Sequence, residues 1–205
     1  MWPGSEQTQQ LLKEAERGEA EAVNSLMNRH RDALRRMIQM RLDRALSRRV
    51  DASDVLQDVL LEASSRLEDY LRDPKLPFHL WLRQLAKDRI IDMHRRHRVA
   101  GRRSVDRERP LVAPRFADRS SFDLAAQLAD SELTPAAATL RRELEHRFLA
   151  ALDDLGDEDR EIIVMRHFEH LGNSEAAQAL DLSPAAAGMR YLRAIRRLRA
   201  ALGEN

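Results

Sequence analysis

The 205-residue sequence contains no cysteine, which excludes disulfides, thiol catalysis and cysteine-ligated zinc. Lysine is almost absent: Lys13, Lys75 and Lys87 are the only three, so nearly all positive charge is arginine, the side chain suited to bidentate contact with phosphates and guanine edges. Aromatics make up 4% of residues, so any core has to come from Leu, Ala, Ile, Val and Met within a hydrophobic content of 43%. No apolar run approaches the length of a membrane span. The N-terminal MWPGSEQTQQLLKEAERGEA lacks the charged-then-apolar order of a secretory signal, so the expected setting is the cytoplasm, without membrane insertion. No run alternates with the period of a strand. An excess of one charge is missing as well: 34% of residues are charged, yet the formal net charge is +1, so the placement of the charges carries the information.

What is present is helical spacing. A first helix is expected through TQQLLKEAER, stopped by Gly18, and a long one from Glu19 to Arg48 with Val23, Leu26, Met27, Leu34, Met37, Ile38, Leu42 and Leu46 on one stripe. Asp51 is placed to cap a third, DASDVLQDVLLEASSRLEDYL, with Val55, Val59, Leu60, Ala63, Leu67 and Leu71 inward. RDPKLP interrupts, and Pro77 suits the first turn of a fourth helix, FHLWLRQLAKDRIIDMHRRHR, with Phe78, Trp81, Leu82, Leu85, Ile90 and Met93 inward and Gly101 just past its end. Residues 1–101 read as one all-α domain. Residues 102–139, with Pro110, Pro114 and Pro135 and mixed charges, read as an interdomain linker holding one short helix at FDLAAQLAD. Residues 140–205 read as a second small helical domain: a helix through Leu144, Phe148, Leu152 and Leu155, then DREIIVMRHFEHL, then NSEAAQAL, a tight turn, and a last long helix.

That last helix, in DLSPAAAGMRYLRAIRRLRAAL, has no acid between Asp181 and Glu204, but carries Arg190, Arg193, Arg196, Arg197 and Arg199. Ser183 is a strong N-cap and Pro184 a favoured first residue. Ala187, Tyr191, Ile195, Leu198 and Leu202 form an apolar face, while Arg190, Arg193 and Arg197 share another. A short helix, a tight turn and a second helix with a basic outer face is the helix-turn-helix pattern, whose second helix enters the major groove of duplex DNA. A solvated face is the plain alternative, although such faces usually mix signs, as KEAERGEAE does near the N-terminus. A second basic run spans Lys87 to Arg109, with nine Lys and Arg against four acids. It continues a helix that opens with Phe78, His79 and Trp81, and aromatics beside a basic strip suit unstacked bases unless they are simply core.

DVLQDVLLEA followed by FHLWLRQLAKDRIIDMHRRHR resembles the second conserved region of bacterial sigma factors. LDDLGDEDREIIVMRHFEHLGNSEAAQALDLSPAAAGMRYLRAIRRLRAAL resembles the fourth. Both in this order, with a linker between, resemble the extracytoplasmic-function group of the sigma-70 family, and SSFDLAAQL is similar to the linker of the planctomycete type. The resemblance implies an all-α fold of two small helical domains on a flexible linker that passes through the polymerase. It implies no catalysis and no cofactor. Its implied partners are core RNA polymerase (the clamp helices of the largest subunit and the flap region), promoter DNA and an anti-sigma factor.

Carried onto this sequence, the resemblance puts Asp54, Gln57, Asp58 and Leu61 against the clamp helices. The loop from Tyr70 to His79 would make the −10 pocket, with His79, Trp81, Arg83, Lys87, Arg89, Arg95 and Arg96 toward −10 DNA. Asp88 departs from the Asn often found there. Ser183, Gly188, Met189, Arg190, Leu192, Arg193 and Arg197 would face the −35 element, with Arg190 on the backbone. Ala186 and Gly188 replace the usual Thr and Lys, so Met189 and Leu192 would touch thymine methyls instead. Asp181 stands where the family's turn usually has Gly, and Asp tolerates a left-handed conformation.

Other readings are a helix-turn-helix regulator that never touches polymerase, and a metal-dependent enzyme using the i, i+3 pairs His94/His97 and His167/His170. The first leaves the DVLQDV face without a use. The second has no acidic cluster, phosphate loop or nucleophile motif behind it. Asp54 also has a plain use, as an acid in the first turn behind Asp51.

Overall fold

The structure, a computed structural model, describes residues 2–42, 50–101 and 138–203. The expected linker with its FDLAAQLAD helix, and Leu46 of the long second stripe, lie outside those residues. The chain separates into two compact units, Met1–Leu111 and Val112–Asn205, and the described parts of both are helical. No helix among the described residues is long and apolar enough to cross a membrane.

The first unit opens with α1 (Ser5–Glu16) and α2 (Ala20–Arg41). Gly18 joins them at φ 84°, a left-handed conformation that costs glycine nothing, and its N–H and that of Glu19 take up the carbonyls of Ala15 and Glu14. The inward stripe of α2 is Ala22, Leu26, Met27, His30, Ala33, Leu34, Met37 and Ile38. The helix ends seven residues before the expected Arg48, because Leu42 turns to extended backbone while remaining buried.

Asp51 caps α3 (Ala52–Ser65) as expected, accepting from the Ser53 N–H at 2.8 Å. The single third helix read from the sequence is in fact two. Ser65 Oγ donates back to the Glu62 carbonyl at 2.9 Å, beside the ladder bond that the same carbonyl accepts from the Arg66 N–H at 3.0 Å. The chain then breaks at Arg66 before resuming as α4 (Leu67–Arg72). Pro77 stands one place outside α5 (Phe78–Gly101): its carbonyl accepts from Leu80 and Trp81 N–H groups at 2.9 and 3.0 Å, which makes it the cap, while Gly101 falls within the helix. The α3 stripe of Val55, Leu56, Val59, Leu60 and Ala63 packs with that of α2 and with Phe78, Leu82, Leu85, Ala86 and Ile90 of α5 in one core. Trp81 and Met93 reach it only in part, whereas Leu80, not expected inward, is buried.

The second unit has α6 (Ala138–Asp153), α7 (Asp157–Ile163), a π-helical segment (Val164–Phe168), α8 (Asn173–Ala179) and α9 (Pro184–Gly203). Ile162, Ile163, Val164 and Met165 are all buried, more consecutive apolar residues than one stripe of an α-helix can hide. The wider turn, closed by the Glu169 N–H on the Val164 carbonyl at 3.0 Å, shifts the register so that Phe168 and Leu171 are also buried. Arg160 satisfies the end of α6, donating to the Leu152 and Asp153 carbonyls and to Asp153 Oδ1. Phe148 and Leu152 of α6 and Ala187, Ala194, Leu198 and Leu202 of α9 complete this core.

Candidate polymerase and nucleic-acid interfaces

Because the α3 stripe takes Val55, Leu56, Val59, Leu60 and Ala63 inward, Asp54, Gln57, Asp58 and Leu61 are left together on the outer face. Leu61 is 67% exposed, an apolar side chain beside three polar ones. Asp58 is not free of α5: its Oδ2 accepts from Arg89 Nη2. The two residues, assigned from sequence to different surfaces, meet here. Arg89 shares a helical stripe with Phe78, Leu82 and Leu85, so it faces α3 instead of standing out with the basic strip.

At the start of α5 the rings form a cluster. Trp81 stacks on Tyr70 with centroids 4.6 Å apart, and Phe78 meets Tyr70 edge-on at 5.5 Å. The Tyr70 hydroxyl donates to the Leu76 carbonyl at 2.9 Å, tying down the loop that carries the chain into α5, and burial raises its pKa. On the other side Phe78 meets His30 edge-on at 5.1 Å, and Trp2 lies 6.2 Å from His30 and 5.8 Å from His79. Trp81 is thus half core and half surface.

Of the residues expected toward −10 DNA, Arg95 and Arg96 are exposed, and His79, Trp81 and Lys87 are half-buried. Arg95 pairs with Asp92 at 3.2 Å. Arg83 departs from the expectation. At 2% exposure it belongs to the interior, since the residues one turn either side of it, Leu80 and Ala86, are both buried.

His30 is a buried polar group that the sequence reading passed over, although its place on the Leu26–Met27–Ala33–Leu34 stripe of α2 marks it as inward. The Thr8 hydroxyl donates to the Gly4 carbonyl at 3.0 Å, so at 3.2 Å from His30 Nε2 it can only accept. That fixes the Nε2–H tautomer and leaves Nδ1 buried without a partner. Desolvation, then His79 and Arg29, push the His30 pKa down to about 4.

In the second unit α8 and α9 form the helix-turn-helix. Glu175 closes the start of α8 on the Gly172 N–H at 2.6 Å, and Asn173 Nδ2 donates to the Pro184 carbonyl at 2.8 Å, joining the two helix starts. Asp181 adopts φ 54°, with its N–H on the Gln178 carbonyl and the Leu182 N–H on that of Ala177. This is a glycine-type helix ending made with aspartate. Ser183 Oγ accepts from the Ala186 N–H at 3.1 Å, so the expected cap is in place.

On the outer side of α9, Met189 is 57% and Leu192 46% exposed, with Arg193 exposed beside them and Gly188 half-buried. Arg190 and Arg197 differ from the open basic face expected: Arg190 pairs with Glu158 at 2.8 Å and Arg197 with Asp159 at 2.7 Å. In the sequence these acids carry no sign of pairing with α9, because acids in the first turn of a helix, here α7, are ordinary partners of its dipole. Tyr191 points the other way. Its hydroxyl is 2.8 Å from His167 Nε2, and Arg166 lies over its ring at 5.5 Å. Burial, then Arg166 and His170, lower the His167 pKa.

Residues 26–99 match the family described as Sigma-70 region 2, and residues 145–198 the family described as Sigma-70, region 4. The chain is 31% identical over 152 residues to RNA polymerase sigma factor CnrH of Cupriavidus metallidurans, covering 74% of this chain and 73% of that protein. It is 24% identical over 186 residues to the ECF RNA polymerase sigma-E factor of Haemophilus influenzae, covering 91% and 90%. Among solved structures, CnrH in complex with the cytosolic domain of CnrY matches with a TM-score of 0.56 at 25% identity, over 94% of each chain. The chain belongs to the extracytoplasmic-function group of the sigma-70 family of RNA polymerase sigma factors.

Proposed function

We infer that this sigma factor docks on core RNA polymerase through the outer face of α3 and directs it to promoters that its two units read separately. The observation that supports this best is the coexistence in one chain of that exposed Asp54–Gln57–Asp58–Leu61 face with a capped helix-turn-helix. Asp54, Gln57 and Leu61 meet the clamp helices of the largest subunit, with Asp58 held ready by Arg89. Trp81, backed by Tyr70, offers a ring to an unstacked base of the −10 element, and Lys87, Arg95 and Arg96 follow the backbone. Met189, Leu192 and Arg193 read the −35 duplex, with Arg190 and Arg197 near its phosphates. Residues 102–139 link the two units along the polymerase. The likeness to CnrH, solved with the cytosolic domain of CnrY, supports an anti-sigma protein as a further partner.

The experiment is a pull-down with core polymerase. Asp58 is a poor place to probe, because replacing it also strands Arg89. Asp54→Arg/Leu61→Glu is expected to reduce capture by at least about tenfold while circular dichroism is unchanged. Capture of the variant at the wild-type level would remove the α3 face from the interface. Failure of the wild type to bind would favour a helix-turn-helix regulator that acts without polymerase.

A further inference from the structure

The two arginine pairs that link α9 to the start of α7 are not alike. Arg197 is the open member of its pair, with its side chain 64% exposed over an Asp159 that is 15% exposed. The order is reversed at Arg190, whose side chain is 19% exposed against 75% for that of Glu158. A phosphate approaching Arg190 therefore has to compete with the Glu158 carboxylate. The pair as a whole is neutral, with the carboxylate oxygen 2.8 Å from Arg190 Nη2. Asp159, by contrast, steadies Arg197 from beneath and leaves its outer donors free.

We propose that Glu158 is a specificity-determining residue: it occupies Arg190 in place of a DNA phosphate and so lowers the affinity of α9 for duplex of arbitrary sequence. This rests on the reading of α9 as the duplex-binding helix. Phosphate contacts supply nearly all sequence-independent affinity, so a contact withheld at Arg190 weakens every sequence alike. It is restored where Met189, Leu192 and Arg193 make base contacts that draw the backbone close enough to displace the carboxylate. The exchange is one anion for another at a fixed cation, and needs no movement of α9.

The test is filter binding of the full chain to a random-sequence duplex of about 30 base pairs across a salt series. Glu158→Gln is compared with Asp159→Asn, which removes the same charge from the neighbouring residue. Glu158→Gln is expected to tighten binding by about three- to tenfold near ~50 mM salt and to steepen the salt slope by about one. Asp159→Asn is expected to gain clearly less, and the Glu158→Gln gain is expected to disappear in an Arg190→Ala background. Equal gains from the two acids, or a gain that persists without Arg190, would overturn the proposal by showing a general charge effect. Arg193→Ala separates this failure from that of the underlying reading. If it weakens binding while Glu158→Gln changes nothing, α9 binds duplex and the masking role is wrong. If Arg193→Ala has no effect, α9 is not the binding helix and the proposal falls with it.

Discussion

At the scale of single residues, His30 ties α1 to α2 and gives the first unit a pH dependence. Its partner Thr8 is on α1, and its ring packs on Phe78 of α5, so one side chain touches three helices. The unfolded chain protonates this imidazole near 6.5, while the folded one resists until about 4. Between those values the unfolded state holds the extra proton, so stability is complete above 6.5 and falls as pH drops toward 4. The loss from this group amounts to at most roughly 3 kcal/mol. His30→Gln keeps a donor for Thr8 and does not titrate. Its urea midpoint is therefore expected to fall less than that of the wild type between those two pH values, and parallel curves would show that His30 is not the group responsible.

At the scale of elements, what was legible in the sequence was periodicity and capping. Asp51 and Ser183 cap the helices they were expected to cap, and the α2 and α3 stripes face inward with few exceptions. Asp181 takes the left-handed conformation its place in the turn required. That conformation is less costly for glycine than for aspartate, so Asp181→Gly is expected to raise stability by about 0.5–1 kcal/mol, read as a higher melting temperature of the second unit. A lower one would mean that the aspartate side chain stabilises the turn.

Other features of these elements depend on contacts that one-dimensional spacing does not contain. The break at Arg66 comes beside a serine hydroxyl turned back on the helix, and the π-helical turn follows from four consecutive buried residues that no single stripe accommodates. The charges of Arg83 and Arg89 read as outward in sequence, but their helical phase points them inward and toward α3. The same applies to Arg190. Its charge is plain in the sequence, and the carboxylate that pairs with it comes from another helix.

At the scale of the whole molecule, each unit closes its own core. Phe148, fully buried, is central to the second. Phe148→Ala is expected to cost about 3–5 kcal/mol there and to lower one of two endotherms in calorimetry while leaving the other in place. A single endotherm that moves as a whole would mean that the units unfold together.

The ring cluster at the start of α5 has a consequence for how this molecule can be watched. The chain's two tryptophans, Trp2 and Trp81, both belong to it, one against His30 and His79 and the other on Tyr70. Indole emission thus comes wholly from the unit read as meeting the melted strand. The unit that carries α9 offers only the phenol of Tyr191, already engaged by His167. A base arriving on Trp81 would quench that light, whereas a duplex seated on α9 would leave it unchanged. On that reading, strand opening and duplex docking would be spectrally separable without a dye on the protein.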